Sequence, residues 1–186
     1  MSTTEPATIV GKILALHAAF TGADLPHAFG GALALAWCTQ QARGTIDIDV
    51  NVFVPADQSG DVFAALPEGV ARSDDELTRC VRDGQVRLWW DATPVDLFTN
   101  TTDFHGAAAE RAVVHEFASE QVPFLSCSDL AVFKAFFNRS KDWVDIEEMI
   151  EVGTFDIDLT LGVLVRYLDA DDERVARLRA LARTDL

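Results

Sequence analysis

Apolar side chains recur at Ile9, Ile13, Leu14, Leu16 and Phe20, close to helical spacing, and Gly22 follows as a stop. This pattern predicts a first helix. His27-Ala28-Phe29 is a short apolar run ending in Gly30-Gly31, and Ala32 to Trp37 is rich in helix formers, so strand, glycine turn and helix follow one another. Thr45 to Val54 alternates and is dense in β-branched residues between Gly44 and Pro55, as a strand requires. Asp61 to Leu66 reads as a short helix closed by Pro67. Gln85 to Trp90 and Val95 to Phe98 flank Asp91-Ala92-Thr93-Pro94, which predicts an antiparallel hairpin, and Val113 to Phe117 and Val122 to Leu125 supply two further strands.

From Ser128 the period becomes helical. Ser128-Asp129 caps Leu130 to Asn138, Lys141 to Val152 forms a helix ended by Gly153, and helices over Leu159 to Leu168 and Asp172 to Arg183 finish the chain. The expected organisation is an α/β core over 1–126 and a helical lobe over 127–186, packed as one compact unit.

Composition narrows the function. The 186 residues carry 30 acidic against 15 basic side chains, a net charge of −15, while 49% are apolar. A chain of this length buries about 70% of its unfolded surface, which excludes disorder and small disulfide scaffolds. Strong salt-sensitive binding of duplex DNA requires a basic face, which a pI of about 4.4 opposes. Cys38, Cys80 and Cys127 form no CxxC pair and no zinc spacing, so ordinary buried thiols in a reducing, cytoplasmic setting are expected. The N-terminus has no basic segment followed by an apolar run, and no apolar stretch approaches ~18 residues, so neither a secretory signal nor a membrane span is expected.

Candidate chemistry lies in Thr45-Ile46-Asp47-Ile48-Asp49-Val50. Two aspartates two apart on a strand project from one face, although strands are depleted in Asp. Like charges so placed call for a cation between them, and a divalent ion is the usual one. A third acid, Asp96, interrupts the apolar run Pro94 to Phe98; if its strand neighbours the first, three hard oxygen ligands converge, as magnesium-assisted phosphoryl chemistry requires. Gly30-Gly31 between strand and helix leaves room for phosphates at a positive helix N-terminus. A Gly-Gly turn is often only a turn, and Asp156-Ile157-Asp158 repeats the acidic tripeptide where Asp158 reads as a helix cap. The combination and order of Gly30-Gly31, Arg43, Thr45, Asp47, Asp49 and Asp96 distinguish the first copy.

Phe29-Gly30-Gly31-Ala32-Leu33-Ala34-Leu35 followed by Arg43-Gly44-Thr45-Ile46-Asp47-Ile48-Asp49-Val50 resembles the signature of the polymerase-β-like nucleotidyltransferase superfamily. Asp129 to Lys134 and Arg139-Ser140-Lys141-Asp142-Trp143-Val144-Asp145 are similar to the lysine helix and the Arg-x-Lys-Asp-x-x-Asp motif of its minimal and AbiEii-type toxin branch. The resemblance implies a twisted mixed sheet flanked by helices with a C-terminal helical lobe. It also implies transfer of a nucleoside monophosphate from a triphosphate (NTP) to a hydroxyl with Mg2+ or Mn2+. Carried over by position, Gly30 and Gly31 would hold phosphates and Asp47, Asp49 and Asp96 the metals. Lys134 would neutralise phosphate charge and Asp142 fix the helical lobe, with Arg43, Thr45 and Lys141 as further nucleotide contacts. Ala32 stands where many members carry Ser. The acceptor would be an RNA 3′ end such as that of tRNA, a protein or a small molecule, and an antitoxin would be a possible partner. A catalytically silent binding or regulatory subunit is the alternative.

The remaining candidates point to packing. His17, His27, His105 and His115 share no ligand or relay spacing, and Phe133, Phe136 and Phe137 fall at core helical spacing, whereas for Lys134 snorkelling on a surface helix is the lesser alternative to a site role.

Overall fold

Residues 8–41 and 44–184 are described by a computed structural model. The β-branched and aromatic runs pair into one sheet of seven strands: β1 (His27–Phe29), β2 (Ile48–Pro55), β3 (Val70–Ala71), β4 (Gln85–Trp90), β5 (Thr93–Asn100), β6 (Val113–Phe117) and β7 (Glu120–Phe124), in the order β3-β4-β5-β2-β1-β7-β6. β2 is parallel to β5 and β1 to β7, while the other neighbours are antiparallel. This is the mixed sheet flanked by helices that the sequence implies.

The helices are α1 (Ile9–Gly22), α2 (Gly31–Thr39), α3 (Ser59–Ala65), α4 (Asp74–Asp83), α5 (Asp103–Glu110), α6 (Cys127–Phe137), α7 (Ser140–Val152), α8 (Ile157–Leu168) and α9 (Glu173–Thr184). The chain divides into two units: the chain up to Phe29 with Thr45–Phe124, and Gly30–Gly44 with the chain from Leu125 onward. The helix after the glycine turn therefore groups with the C-terminal helices.

In the sheet unit, α1, α3 and α4 pack successively on one another, α4 also lies on β4, and α5 lies against β2 and β5. Alternation on β2 puts Ile48, Val50 and Val52 on one fully buried face. Their neighbours Val95 and Leu97 on β5 and Leu88 on β4 are equally enclosed. Removing these branched side chains from water is the main stabilisation of this layer. The hairpin turns in two residues, with Asp91 at φ 52° and Trp90 opposite Thr93. Lys12 of α1 fastens it, donating from Nζ to the Trp90 carbonyl at 2.7 Å and to Thr93 Oγ1 at 3.0 Å.

In the helical unit, α6 packs on α2, α7 and α8, and α9 on α7 and α8. Trp143, Ile146, Met149, Leu130 and Leu164 are fully enclosed. Three expectations are corrected here. Cys38 and Cys127 are not ordinary thiols but form a disulfide joining α2 to α6, which leaves Cys80 as a buried thiol. Asp156, not Asp158, caps α8, accepting from the Leu159 amide at 2.9 Å. Phe137 is 41% exposed, because Leu130, Ala131, Val132 and Ala135 supply the enclosed side of α6. No helix among the described residues is long and apolar enough to cross a membrane.

Candidate active site

The parallel pairing of β2 and β5 sets Asp49 directly beside Asp96, and the antiparallel pairing of β5 and β4 sets Arg87 on the other side of Asp96. Side chains at paired positions share a sheet face. The two acids and the base thus form a row across three adjacent strands. β2 begins at Ile48, so Asp47 precedes the strand instead of lying on it as the sequence suggests. Thr45 shapes that approach: its hydroxyl donates to the Asp47 carbonyl at 2.9 Å and accepts from the Asp47 amide at 3.1 Å. This short side-chain turn holds Asp47 in place.

Arg87 unites the acids. Nε donates to Asp96 Oδ1 at 2.7 Å and Nη2 to Asp96 Oδ2 at 2.6 Å, a two-pronged pairing. The same Nη2 lies 3.7 Å from Asp47 Oδ2. Hydrogen bonding to Asp96, with the attraction of Asp96, Asp47 and Asp49, holds the guanidinium protonated more firmly than usual, against the opposing effect of desolvation. Its side chain is 51% exposed and that of Asp96 19%. Among the described residues, no three His, Cys, Asp or Glu side chains form a group able to hold a metal ion. Behind Asp49 on the same face, Asn51 is buried with Oδ1 lacking a hydrogen-bond partner.

In the helical unit, Gly31 takes φ 53°, a left-handed conformation that L side chains adopt only at a cost, and α2 starts there with buried Gly30 as its cap. Its first amides carry the partial positive charge of a helix N-terminus. Lys134 is buried, donating to Asp145 Oδ2 at 2.6 Å, with Asp142 Oδ1 at 3.9 Å. Asp142 caps α7: it accepts from the Arg139 amide at 3.1 Å, and the Arg139 guanidinium grips both its oxygens. Lys141 is exposed, and Arg43 lies outside the described residues.

Two features escape a reading by spacing. The Arg87 pairing is one: a two-residue turn at Asp91-Ala92 fixes the register that brings residue 87 opposite residue 96, and that turn is the signal available in the sequence. The other is a histidine pair, His17 Nδ1 to His27 Nε2 at 2.9 Å, joining residues on different elements. His27 Nδ1 donates to the Leu25 carbonyl at 2.8 Å, so its Nε2 accepts from His17. Burial pushes the His27 imidazole below its ordinary value, a shift opposed by the Leu25 bond and aided by the charge of His17.

No protein-family model and no curated protein sequence matches this chain. Solved structures do. The solution structure of the antibiotic-resistance factor ANT(2'')-Ia aligns over 97% of this chain and 94% of its own with TM-score 0.52 and 16% identity. The crystal structure of ANT(2'')-Ia in complex with adenylyl-2''-tobramycin aligns over 98% and 99% with TM-score 0.52 and 18% identity. An antigenic nucleotidyltransferase-like protein from Paracoccidioides brasiliensis aligns over 100% and 90% with TM-score 0.51 and 14% identity. The chain has the fold of these nucleotidyltransferases.

Proposed function

We propose that this protein transfers a nucleoside monophosphate from a nucleoside triphosphate to a hydroxyl of a small, positively charged acceptor. The observation that carries the reading is the register of β2 and β5, which seats Asp49 beside Asp96, with Asp47 just before the start of β2, on a nucleotidyltransferase fold. Carboxylates so grouped are costly unless a cation relieves them. In chemistry their donor set, hard oxygens near the Arg87 cation, suits magnesium or manganese, although the three are not gathered into a metal-holding group in this arrangement.

In this reading the acceptor oxygen bonds to the α-phosphorus, the bond from that phosphorus to the β-phosphate bridging oxygen breaks, and pyrophosphate leaves. Asp96 takes the hydroxyl proton. Asp47, Asp49 and Asp96 would hold a divalent ion, which would supply neutralisation of the phosphate charge. Gly30 and Gly31 offer backbone amides to the phosphates, and Lys141 adds exposed positive charge. Lys134 serves less directly, since Asp145 holds it; Asp142 stabilises the α7 start that carries Lys141.

The net charge of −15 favours a cationic acceptor over RNA, and ANT(2'')-Ia is found with an adenylylated antibiotic. Transfer to tRNA under the control of an antitoxin, in the manner of the AbiEii-type branch, is the finer alternative that the motifs at 129–145 support. Use of a triphosphate suits a cytoplasmic setting, whereas the Cys38–Cys127 disulfide removes the cysteine argument for a reducing compartment. Melting curves with magnesium and each of the four triphosphates test the reading. We expect at least one triphosphate to raise the melting temperature only with metal present, and Asp49→Ala to abolish the shift. A shift that is absent from the wild type, or retained by Asp49→Ala, would contradict it and favour a silent binding subunit.

A further inference from the structure

Asp96, the strand neighbour of Asp49, is held by a cation of the chain's own that also approaches Asp47. Arg87 engages both oxygens of Asp96 and approaches Asp47 to 3.7 Å, in the face row that also contains Asp49. We propose that Arg87 is a resident competitor for the divalent ion: it neutralises and closes the carboxylate group in the metal-free protein, and it must leave Asp96 before an ion can be held. The inference rests on the metal-dependent reading above.

Geometry and charge carry it. The guanidinium is a planar fork that matches one carboxylate in two parallel bonds, so both Asp96 oxygens are engaged while the pairing lasts. A positive guanidinium and a divalent ion beside the same carboxylate repel each other, so occupancy by one disfavours the other. The exit is open, because the Arg87 side chain is 51% exposed and water can solvate it once released. Residues of β4 alternate, with Val86 and Leu88 buried and Gln85, Arg87 and Trp89 outward, so Arg87 can leave without disturbing the core. Asp96 loses its two-pronged partner in the exchange, and the ion supplies the compensating charge.

The test is the affinity of the nucleotide-free protein for Mn2+, read from the free-ion signal in electron paramagnetic resonance titrations. Wild type, Arg87→Ala, Asp49→Ala and Arg82→Ala are compared. Arg82 is an exposed residue of α4 paired with Asp83, so its removal changes net charge equally while leaving the acids untouched. We expect Arg87→Ala to bind Mn2+ about tenfold more tightly than wild type, the gain from removing a half-solvated competing charge. Arg82→Ala should match wild type and Asp49→Ala should lose the site, with cooperative melting confirming that each variant folds. Equal or weaker binding by Arg87→Ala, with binding still dependent on Asp49, would overturn the competitor role and leave the metal-dependent reading standing. An equal gain in Arg82→Ala would also overturn it, by showing a general charge effect. Absence of an Asp49-dependent site from both wild type and Arg87→Ala would overturn the metal-dependent reading and this inference together.

Discussion

Asp49 and Asp96 sit side by side because one strand register demands it, and each is an acid in an otherwise apolar run. An acid kept in such a place costs stability unless it is used or paired. Asp49→Ala should therefore abolish nucleotidyl transfer while leaving the melting temperature equal or higher, a pair of results that activity assays and calorimetry read independently. A second expectation concerns pH. Burial lowers the His27 pKa below 6.5 and lowers that of His105 in the same direction, the latter opposed by its bond to the Thr102 carbonyl. A histidine that binds protons less readily folded than unfolded contributes stability above its unfolded pKa and loses it as pH falls below that value. Denaturant midpoints should thus be steady above about pH 7 and fall through pH 6.5 and below, and His27→Gln should flatten part of that slope. Loss of stability on raising the pH through this range would contradict the assignment. At this scale Asp49 and Asp96 were legible because Asp is out of place in a strand, whereas Asp47 proves to precede β2. Arg87 was not, because an arginine on an alternating strand looks like any solvated residue until the turn fixes what it faces.

The elements themselves follow local chemistry closely. α1 and α7 lie where periodicity places them, and Gly153 ends α7 in a left-handed conformation; the β4–β5 hairpin forms as expected but turns at Asp91-Ala92, so that Thr93 and Pro94 belong to β5 and not to the turn. α4 escaped because its acidic first turn and polar surface carry little apolar period, and the two-residue β3 is too short to show any. The parallel match of β2 to β5 is non-local, since β3, α4 and β4 intervene, and no turn residue encodes it. The Cys38–Cys127 disulfide is equally invisible to spacing, as its cysteines are separated by 89 residues. Closing so long a loop removes much unfolded-chain entropy, so reduction, or Cys38→Ser, should lower unfolding free energy by about 4 kcal/mol. Cys80→Ser provides the comparison, as it alters no crosslink. At the start of α2, Gly31→Ala forces a side chain into φ 53°, and a loss of about 1–2 kcal/mol in denaturant titrations is expected.

For the molecule as a whole, net charge bears most directly on the proposed acceptor. A net charge of −15 repels free anions and draws cations, so attraction of a positively charged acceptor should weaken as salt screens it. The KM for such an acceptor should rise between low and physiological ionic strength with kcat little changed, whereas an uncharged acceptor should show no such dependence. The nucleotidyltransferase fold was legible through the family resemblance carried by the glycine turn, the acidic segment and the third acid, whereas chemistry alone pointed only to grouped carboxylates. The acceptor was not, because no motif in the chain encodes it. The most direct test is transfer of label from each α-phosphate-labelled triphosphate, with magnesium or manganese, to a mixture of small cationic metabolites, RNA and protein, run beside Asp49→Ala. Metal-dependent label in the small cationic fraction, absent with the variant, is the predicted result; label that persists with Asp49→Ala, or no transfer to any fraction, would contradict the account.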